Sequence, residues 1–223
     1  MKTIKVISSS TQDAESYSTV KPSKVICIGR NFVDHVHELA NEIPDEMVVF
    51  FKPNSAISDN LQAVHLNEAL HYEAELCFLY QQGKFVAVAF GLDLTKRSLQ
   101  AKLKAKGLPW ERAKAFDGAV VFSDFISIEG LAEDEFNKLT LSLKINDEAK
   151  QQGGVPLMMF KPVEILKDLQ SFVTLEDGDV IMTGTPKGVG VIEVGDNYSG
   201  LVYIDSDDHE QTKALIDCHW LAQ

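Results

Sequence analysis

The sequence has few cysteines, little positive charge and no long apolar run. Cys27, Cys77 and Cys218 lie far apart among apolar neighbours, which indicates buried free thiols in a reducing compartment rather than a disulfide framework. The first residues contain one short apolar stretch followed by polar residues, and no run approaches the length of a membrane span. We therefore expect a cytoplasmic protein with no membrane partner.

The shortage of positive charge narrows the class of ligand. Lysine and arginine together number 21 against 33 acidic residues, which gives a net charge of -12. This charge opposes binding to phosphate backbones, so nucleic acid is not an expected partner. A site for a small anion would have to supply its own cations, from a metal ion or from a few well-placed lysines and arginines.

Two common nucleotide-binding motifs are also missing. The glycine-rich stretch TGTPKGVGV, residues 183–191, has neither the order of a P-loop nor the G-x-G-x-x-G of a dinucleotide fold. Its backbone amides and the hydroxyls of Thr183 and Thr185 could hold a carboxylate. A structural turn that tolerates glycine is the alternative.

Strand-like runs outnumber helical patterns. The runs are KVICIG, MVVFFK, HYEAELCFLY, KFVAVAFGLDL, GAVVFSDFI, LTLSLKIN, DVIMTG, LVYIDS and ALIDCHWL, and the helical patterns are NFVDHVHELAN, TKRSLQAKLKAKG and KPVEILKDLQSFV. Because strands and helices do not alternate strictly, the pattern predicts a β-rich α+β fold. We expect a short N-terminal segment at 1–20 and a single catalytic domain at 21–223.

Two glutamates interrupt the apolar run HYEAELCFLY. Residues i and i+2 of a strand share a face, so Glu73 and Glu75 concentrate negative charge. In a partly buried site this charge would raise the pKa of one carboxyl strongly or need a cation. Asp93 would join them if residues 81–84 form a hairpin turn, and three carboxylates suit Mg²⁺ or Mn²⁺ better than zinc. The alternatives are a solvated edge strand for the glutamates and a helix N-cap for Asp93.

His35 and Glu38 are three residues apart in a helical pattern and therefore share a face, whereas His37 lies on another. A carboxylate that orients and charges an imidazole is a common means of activating water. Ordinary surface positions are the alternative for this pair, and also for the nearby cations. These cations are Arg30, Lys52, Arg97 and Lys114, and Gln100 lies in the same helical pattern as Arg97.

Six motifs together resemble those of one known family. GRNFVDHVHE, FFKP, HYEAEL, GLDLTKRSLQ, KGLPWERAKAFD and TLEDGDVIMTGTPKGVG are similar in order and spacing to motifs of the fumarylacetoacetate hydrolase family. The resemblance extends from about residue 24 to residue 191 and is strongest to the short acylpyruvate hydrolases and oxaloacetate decarboxylases. It implies a mixed β-roll of the type found in the C-terminal domain of this family, usually as a homodimer.

The resemblance also implies a role for each candidate residue. Mg²⁺ or Mn²⁺ would be held by Glu73, Glu75 and Asp93. The helix around His35 would act as a lid ordered by ligand. Water would be activated by His35 and Glu38, Lys114 would face the oxyanion of the substrate, and the substrate would be bound by Arg30, Arg97, Gln100 and Thr185. Ser98 departs from the aspartate that follows the arginine in many members, which leaves Arg97 without that ionic neighbour.

The implied substrate is a small anionic 2-keto acid whose carboxylate and keto oxygens chelate the metal. Hydrolysis of the C3–C4 bond of acylpyruvates, to pyruvate and a carboxylic acid, is the first expectation. Oxaloacetate decarboxylation through the same pyruvate enolate is the second, and oxaloacetate keto–enol tautomerisation is the third. A dicarboxylate-binding protein with an inert site is the non-enzymatic alternative.

Overall fold

The computed structural model describes residues 1–8, 17–39, 42–206 and 212–223. Its strands are β1 (Ile4–Ile7), β2 (Tyr17–Val20), β3 (Lys24–Gly29), β4 (Val48–Pro53), β5 (Ile57–Ser58), β6 (Val64–His65), β7 (Glu68–Ala69), β8 (His71–Tyr72), β9 (Ala74–Gln81), β10 (Lys84–Asp93), β11 (Val120–Phe122), β12 (Phe125–Ser127), β13 (Leu139–Ile145), β14 (Glu148–Gly154), β15 (Val180–Met182), β16 (Gly190–Val191), β17 (Asn197–Ile204) and β18 (Lys213–Leu221). Its α-helices are α1 (Val33–Glu38), α2 (Arg97–Ala105), α3 (Glu111–Lys114), α4 (Glu133–Phe136) and α5 (Pro162–Phe172).

Most of these strands join two sheets. The larger sheet contains β2, β1, β12, β10, β9, β15, β3 and β4 in that order, with β11 beside β10 and β5 beside β11. Three of its pairings, β1 with β12, β5 with β11 and β3 with β15, are parallel. The smaller sheet contains β14, β13, β17 and β18. The predicted β-rich α+β fold with a mixed sheet is confirmed.

Two of the predicted runs are divided, and the N-terminal segment adds two strands. The run HYEAELCFLY is interrupted at Glu73, because β8 pairs with β16 whereas β9 pairs with β10. The run GAVVFSDFI forms two strands, β11 and β12, rather than one. The N-terminal segment contributes β1 and β2 to the edge of the larger sheet, and the chain division at residue 20 stays a prediction.

The hairpin between β9 and β10 positions the acidic residues. Gln82 and Gly83 both have positive φ, 49° and 85°, as a tight hairpin turn requires. The two strands then run antiparallel as far as the pair Leu92 and Ala74. Beyond it, the backbone N–H of Asp93 donates to the carbonyl of Glu73 at 2.8 Å. The predicted hairpin therefore forms and brings Asp93 beside Glu73.

The main core lies between the two sheets. Leu76 and Phe90 of the larger sheet belong to one apolar cluster with Leu141 and Val202 of the smaller sheet. At Gly200 the sheets approach so closely that an added Cβ would lie 2.9 Å from the ring of Phe90. A second cluster forms where α5 packs against β3 and β15. No helix among the described residues is long and apolar enough to cross a membrane.

A buried aspartate fastens the start of β15 to the start of β3. Asp179 is fully buried, and its carboxylate accepts hydrogen bonds from Ser23 Oγ at 2.6 Å and from the backbone N–H of Glu176 at 2.8 Å. The ammonium of Lys24 lies 2.6 Å from the same carboxylate. Asp179 thus helps to fix the parallel pairing of β15, which lies beside β9, with β3.

We predict that Asp179→Ala lowers the free energy of unfolding by about 2–4 kcal/mol, because buried donors lose a charged acceptor. Urea unfolding followed by circular dichroism measures this change. Asp177→Ala is the matched control, since Asp177 is exposed and accepts one bond from the backbone N–H of Gln82. The control should cost less than about 1 kcal/mol. Equal losses in the two variants would contradict the prediction.

Candidate active site

Three carboxylates converge at the end of the β9–β10 hairpin away from its turn. Glu73, Glu75 and Asp93 are buried, and each offers an oxygen that lies within 4.8 Å of the others. The alternative of a solvated edge strand is therefore wrong. The helix-cap alternative for Asp93 is wrong too, because α2 begins four residues later, at Arg97, with no side-chain cap.

Three cations surround two of these carboxylates. Lys52 Nζ lies 2.8 Å from Asp93 Oδ1. Lys114 Nζ lies 2.9 Å from Glu73 Oε2 and 2.9 Å from Asp93 Oδ2. The guanidinium of Arg97 pairs with Glu73 Oε1. Much of the counter-charge that the sequence analysis assigned to a metal ion thus comes from the chain itself.

Ion pairing outweighs burial for Glu73 and Lys114. Burial alone would raise the pKa of Glu73, but Lys114 and Arg97 hold this pKa well below its usual range. Burial alone would lower the pKa of Lys114, but Asp93 and Glu73 hold it above its usual value. At neutral pH the glutamate is therefore ionised and the lysine is a cation.

Glu75 has no ion-pair partner among the described residues. Its Oε2 accepts a hydrogen bond from the backbone N–H of Gly184 at 2.7 Å. Burial, together with the negative charges of Asp93 and Glu73, raises the pKa of Glu75 well above its usual value. A divalent cation among the three carboxylates would offset this penalty, and hard ions prefer such an all-oxygen donor set. The residues present therefore fit Mg²⁺ or Mn²⁺.

His35 and Glu38 form the predicted pair on one face of α1. His35 is only 6% exposed, and its Nδ1 lies 3.0 Å from Glu38 Oε2. With Nδ1 donating to this carboxylate, Nε2 carries the free lone pair of the neutral ring and can act as a base. Glu38 Oε1 also accepts a hydrogen bond from the backbone N–H of Gly188 at 2.9 Å. His37 is exposed, as its position on another face predicts.

One small cavity, of about 50 Å³, brings the candidate residues together. Glu38 contacts this cavity only through His35. Apolar walls from Ile28, Leu39, Phe50 and Trp110, which the sequence patterns did not indicate, enclose it. Its remaining predicted members are Arg30, His35, Glu73, Glu75, Asp93, Arg97, Gln100, Lys114 and Thr185. Their individual roles stay predictions.

Arg97 is oriented without the acidic neighbour that many family members have. Its guanidinium contacts Glu73 and donates a hydrogen bond to Gln100 Oε1 at 2.9 Å. Ser98 is exposed. Glu73 and Gln100 therefore hold Arg97 at the cavity although Ser98 cannot form an ion pair with it.

Two residues to which the sequence analysis gave no role contribute to the site. Thr95 donates a hydrogen bond to Glu73 Oε1 at 3.1 Å and accepts one from Lys114. Gln151, on β14, contacts the backbone of Ala74 and the hydroxyl of Thr185. The sequence carries no local signal for Gln151, because its role depends on how the smaller sheet packs against the larger one.

The fold and the cavity are those of a metal-dependent enzyme, and comparison with known proteins identifies the family. Residues 24–215 match the family model for the fumarylacetoacetate (FAA) hydrolase C-terminal domain. The chain belongs to the fumarylacetoacetate hydrolase family. It is 36% identical over 208 residues to oxaloacetate tautomerase YcgM of Escherichia coli (strain K12), an alignment that covers 87% of this chain and 93% of the relative.

Similar proteins also occur in animals and among solved structures. The mitochondrial oxaloacetate tautomerase FAHD1 of Homo sapiens is 35% identical over 186 residues, which cover 77% of this chain and 83% of the relative. The crystal structure of fumarylpyruvate hydrolase from Pseudomonas aeruginosa in complex with Mn²⁺ and pyruvate superposes with a TM-score of 0.81 at 24% identity, covering 99% of this chain and 95% of that chain. This last likeness concerns the fold.

We predict that Glu75→Gln weakens Mn²⁺ binding by at least about 100-fold, because loss of a direct ligand should exceed the 10- to 100-fold cost of losing an outer partner. Calorimetric titration of chelator-treated protein measures the affinity. Glu68→Gln is the control, since Glu68 pairs with Lys96 at 3.4 Å and does not line the cavity. Equal Mn²⁺ affinity in the two variants would exclude Glu75 as a ligand.

Proposed function

We propose that the protein is a divalent-metal-dependent enzyme that interconverts the keto and enol forms of oxaloacetate or a closely similar 2-keto acid. The relatives at 34–37% identity are named oxaloacetate tautomerases. The observation that carries the proposal is that a histidine base, His35, shares one small cavity with three buried carboxylates and Lys114. The names of the relatives and this arrangement of residues favour tautomerisation over hydrolysis, although hydrolysis was the first expectation from the sequence.

The substrate would be held by cationic and polar side chains around the cavity. Bound Mg²⁺ or Mn²⁺, held by Glu73, Glu75 and Asp93, would supply Lewis acidity that stabilises negative charge on the keto oxygen. Arg97 and Gln100 lie on adjacent turns of α2 and offer donors to a substrate carboxylate. The positive charge of Arg97 favours a substrate anion in a strongly acidic chain.

The proton transfer would use His35. Nε2 of His35 takes a proton from C3 of the keto form, the electron pair becomes the C2–C3 double bond, and the imidazolium gives that proton to the C2 oxygen to complete the enol. Glu38 stabilises the imidazolium through Nδ1. No water is consumed and no carbon–carbon bond breaks, which suits a small cavity lined in part by apolar side chains.

Acylpyruvate hydrolysis is the second candidate, because the same His35–Glu38 pair could deprotonate water. That water would attack the C4 carbonyl, the C3–C4 bond would break, and the products would be pyruvate and a carboxylic acid. Oxaloacetate decarboxylation is the third candidate, and loss of CO₂ requires no base. The three reactions share an enolate at C2 and C3. Tautomerisation breaks a C3–H bond, whereas hydrolysis and decarboxylation both break the C3–C4 bond, hydrolysis with an attacking water and decarboxylation without one.

We expect the protein with Mg²⁺ or Mn²⁺ to accelerate keto–enol interconversion of oxaloacetate, and chelation to abolish the acceleration, because three buried carboxylates then lose their cation. Ultraviolet absorbance of the enol follows the reaction. Pyruvate release from oxaloacetate and from acetylpyruvate is measured in parallel, with uncatalysed decay subtracted. Metal-dependent pyruvate release from acetylpyruvate without tautomerisation would replace the proposal with hydrolysis.

We predict that His35→Asn lowers kcat for tautomerisation by about 100-fold or more, since a positioned general base contributes about 10²–10⁴-fold. Affinity for Mn²⁺ should be retained, because His35 is not one of the three carboxylates. His37→Asn is the matched control on the exposed face of the same helix and should keep full activity. Full tautomerase activity in His35→Asn would remove His35 from the mechanism.

A further inference from the structure

The strand that pairs with β9 ends just before the acidic cluster. β15 pairs with β9 as far as Met182 and Cys77, and Thr183 N–H still donates to the carbonyl of Leu76 at 3.1 Å. Gly184 then adopts a φ of 94°, which turns the chain away from the sheet. Among the described residues, no strand continues on this side of β9.

The missing strand leaves one backbone donor in a critical place. Ala74 lies between Glu73 and Glu75, and the backbone bond from Asp93 to Glu73 occupies the β10 side of the chain. Because alternate residues of a strand direct their backbone groups to opposite sides, the N–H of Ala74 points away from β10. A buried N–H in this position needs an acceptor that no neighbouring strand supplies.

Gln151 supplies that acceptor from the smaller sheet. It is 3% exposed, and its Oε1 accepts a hydrogen bond from Ala74 N–H at 3.0 Å. Its Nε2 donates to Thr185 Oγ1 at 2.8 Å and to the carbonyl of Pro186 at 2.7 Å. The amide oxygen and both amide hydrogens therefore have partners. One side chain joins the backbone between the two glutamates to the glycine-rich stretch.

We propose that Gln151 is a positioning residue of the active site, which takes the place of the missing strand and fixes the Glu73–Glu75 segment relative to Thr185. The backbone at Ala74 sets the directions of both glutamate side chains, since Glu73 precedes Ala74 in the chain and Glu75 follows it. Holding that backbone limits how far the two carboxylates can spread, and this spacing determines how well they bind one divalent ion.

Gln151 also sets the direction in which the hydroxyl of Thr185 donates. Because Thr185 Oγ1 accepts from Gln151, its own hydrogen remains available to another acceptor. The contact of this hydroxyl with the carbonyl of Pro186, at 3.4 Å, is long for a hydrogen bond. Thr185 lines the cavity, so its hydroxyl can donate a hydrogen bond to a carboxylate or carbonyl oxygen of a ligand there. This second effect rests on the proposed function, whereas the effect on the metal does not.

The first test replaces Gln151 with a side chain of similar size that cannot form hydrogen bonds. Gln151→Leu should weaken Mn²⁺ binding by about 10- to 100-fold, the usual cost of losing a group that orients a metal ligand. Gln152→Leu is the matched control, because Gln152 is the next residue of β14, is exposed, and donates to the hydroxyl of Tyr203 at 2.9 Å. Calorimetry with Mn²⁺ alone requires no substrate. Equal Mn²⁺ affinity in the two variants would overturn the proposal.

A second variant separates the effect on metal binding from the effect on the hydroxyl of Thr185. It also tests the proposal if Gln151→Leu does not fold. In Gln151→Glu, the carboxylate still accepts from Ala74, so Mn²⁺ binding should not weaken. The second carboxylate oxygen has no hydrogen to give to Thr185 or to the carbonyl of Pro186, so the threonine must donate to it and no longer to the substrate. KM for oxaloacetate should then rise about tenfold, the loss of about one hydrogen bond to a charged group, with kcat retained.

A double-mutant cycle shows whether this effect passes through Thr185. In a Thr185→Val background, Gln151→Glu should raise KM no further. An equal rise in both backgrounds, or weaker Mn²⁺ binding in Gln151→Glu, would overturn the proposal. Absence of tautomerase activity in the unaltered protein would overturn the proposed function alone, and the Mn²⁺ affinities would still decide the role of Gln151.

Discussion

Burial of three carboxylates within 4.8 Å of one another is the constraint on which this structure depends. At such distances, each pair of charges repels by on the order of 3–4 kcal/mol even at an effective dielectric constant near 20. The sum approaches the whole free energy of unfolding of an ordinary domain. Cations from three separate elements offset part of this repulsion. Lys52 comes from β4, Arg97 from α2 and Lys114 from α3. The placement of these elements and the ionisation of the site therefore depend on each other.

The cations do not play equal parts. Lys52 is fully buried, pairs with Asp93 and also donates to the backbone carbonyl of Lys114, so it joins β4 to α3 and contributes to the fold. Lys114 and Arg97 line the cavity, where a ligand can meet them. Glu75 alone of the three carboxylates has no cation among the described residues. A cation bound beside Glu75 would therefore offset repulsion that the three chain cations leave there.

The sequence predicted those parts of the site that local periodicity controls. The i, i+2 spacing of the glutamates, the i, i+3 spacing of His35 and Glu38, and the hairpin that returns Asp93 are all short-range patterns. Long-range packing decided the rest. The interruption at Glu73 arises from a change of strand partner. The sequence of β14, EAKQQGG, has no β-branched residue and a low strand propensity, yet it forms a strand because it pairs with β13. Gln151 lies in that strand, so neither its element nor its contacts could be read from the sequence.

The position of His35, the proposed base, depends on contacts outside its own helix. α1 has six residues, too few for a helix to be stable by itself in water. Glu38 binds the backbone of Gly188, and Asp34 pairs with Lys187 at 2.9 Å. The same glycine-rich stretch carries Thr185, which Gln151 joins to the backbone between Glu73 and Glu75. Displacement of that stretch would therefore disturb His35, the hydroxyl of Thr185 and the carboxylates together. Such coupling would suit the proposed reaction, in which proton transfer must wait until the substrate is held and water is excluded.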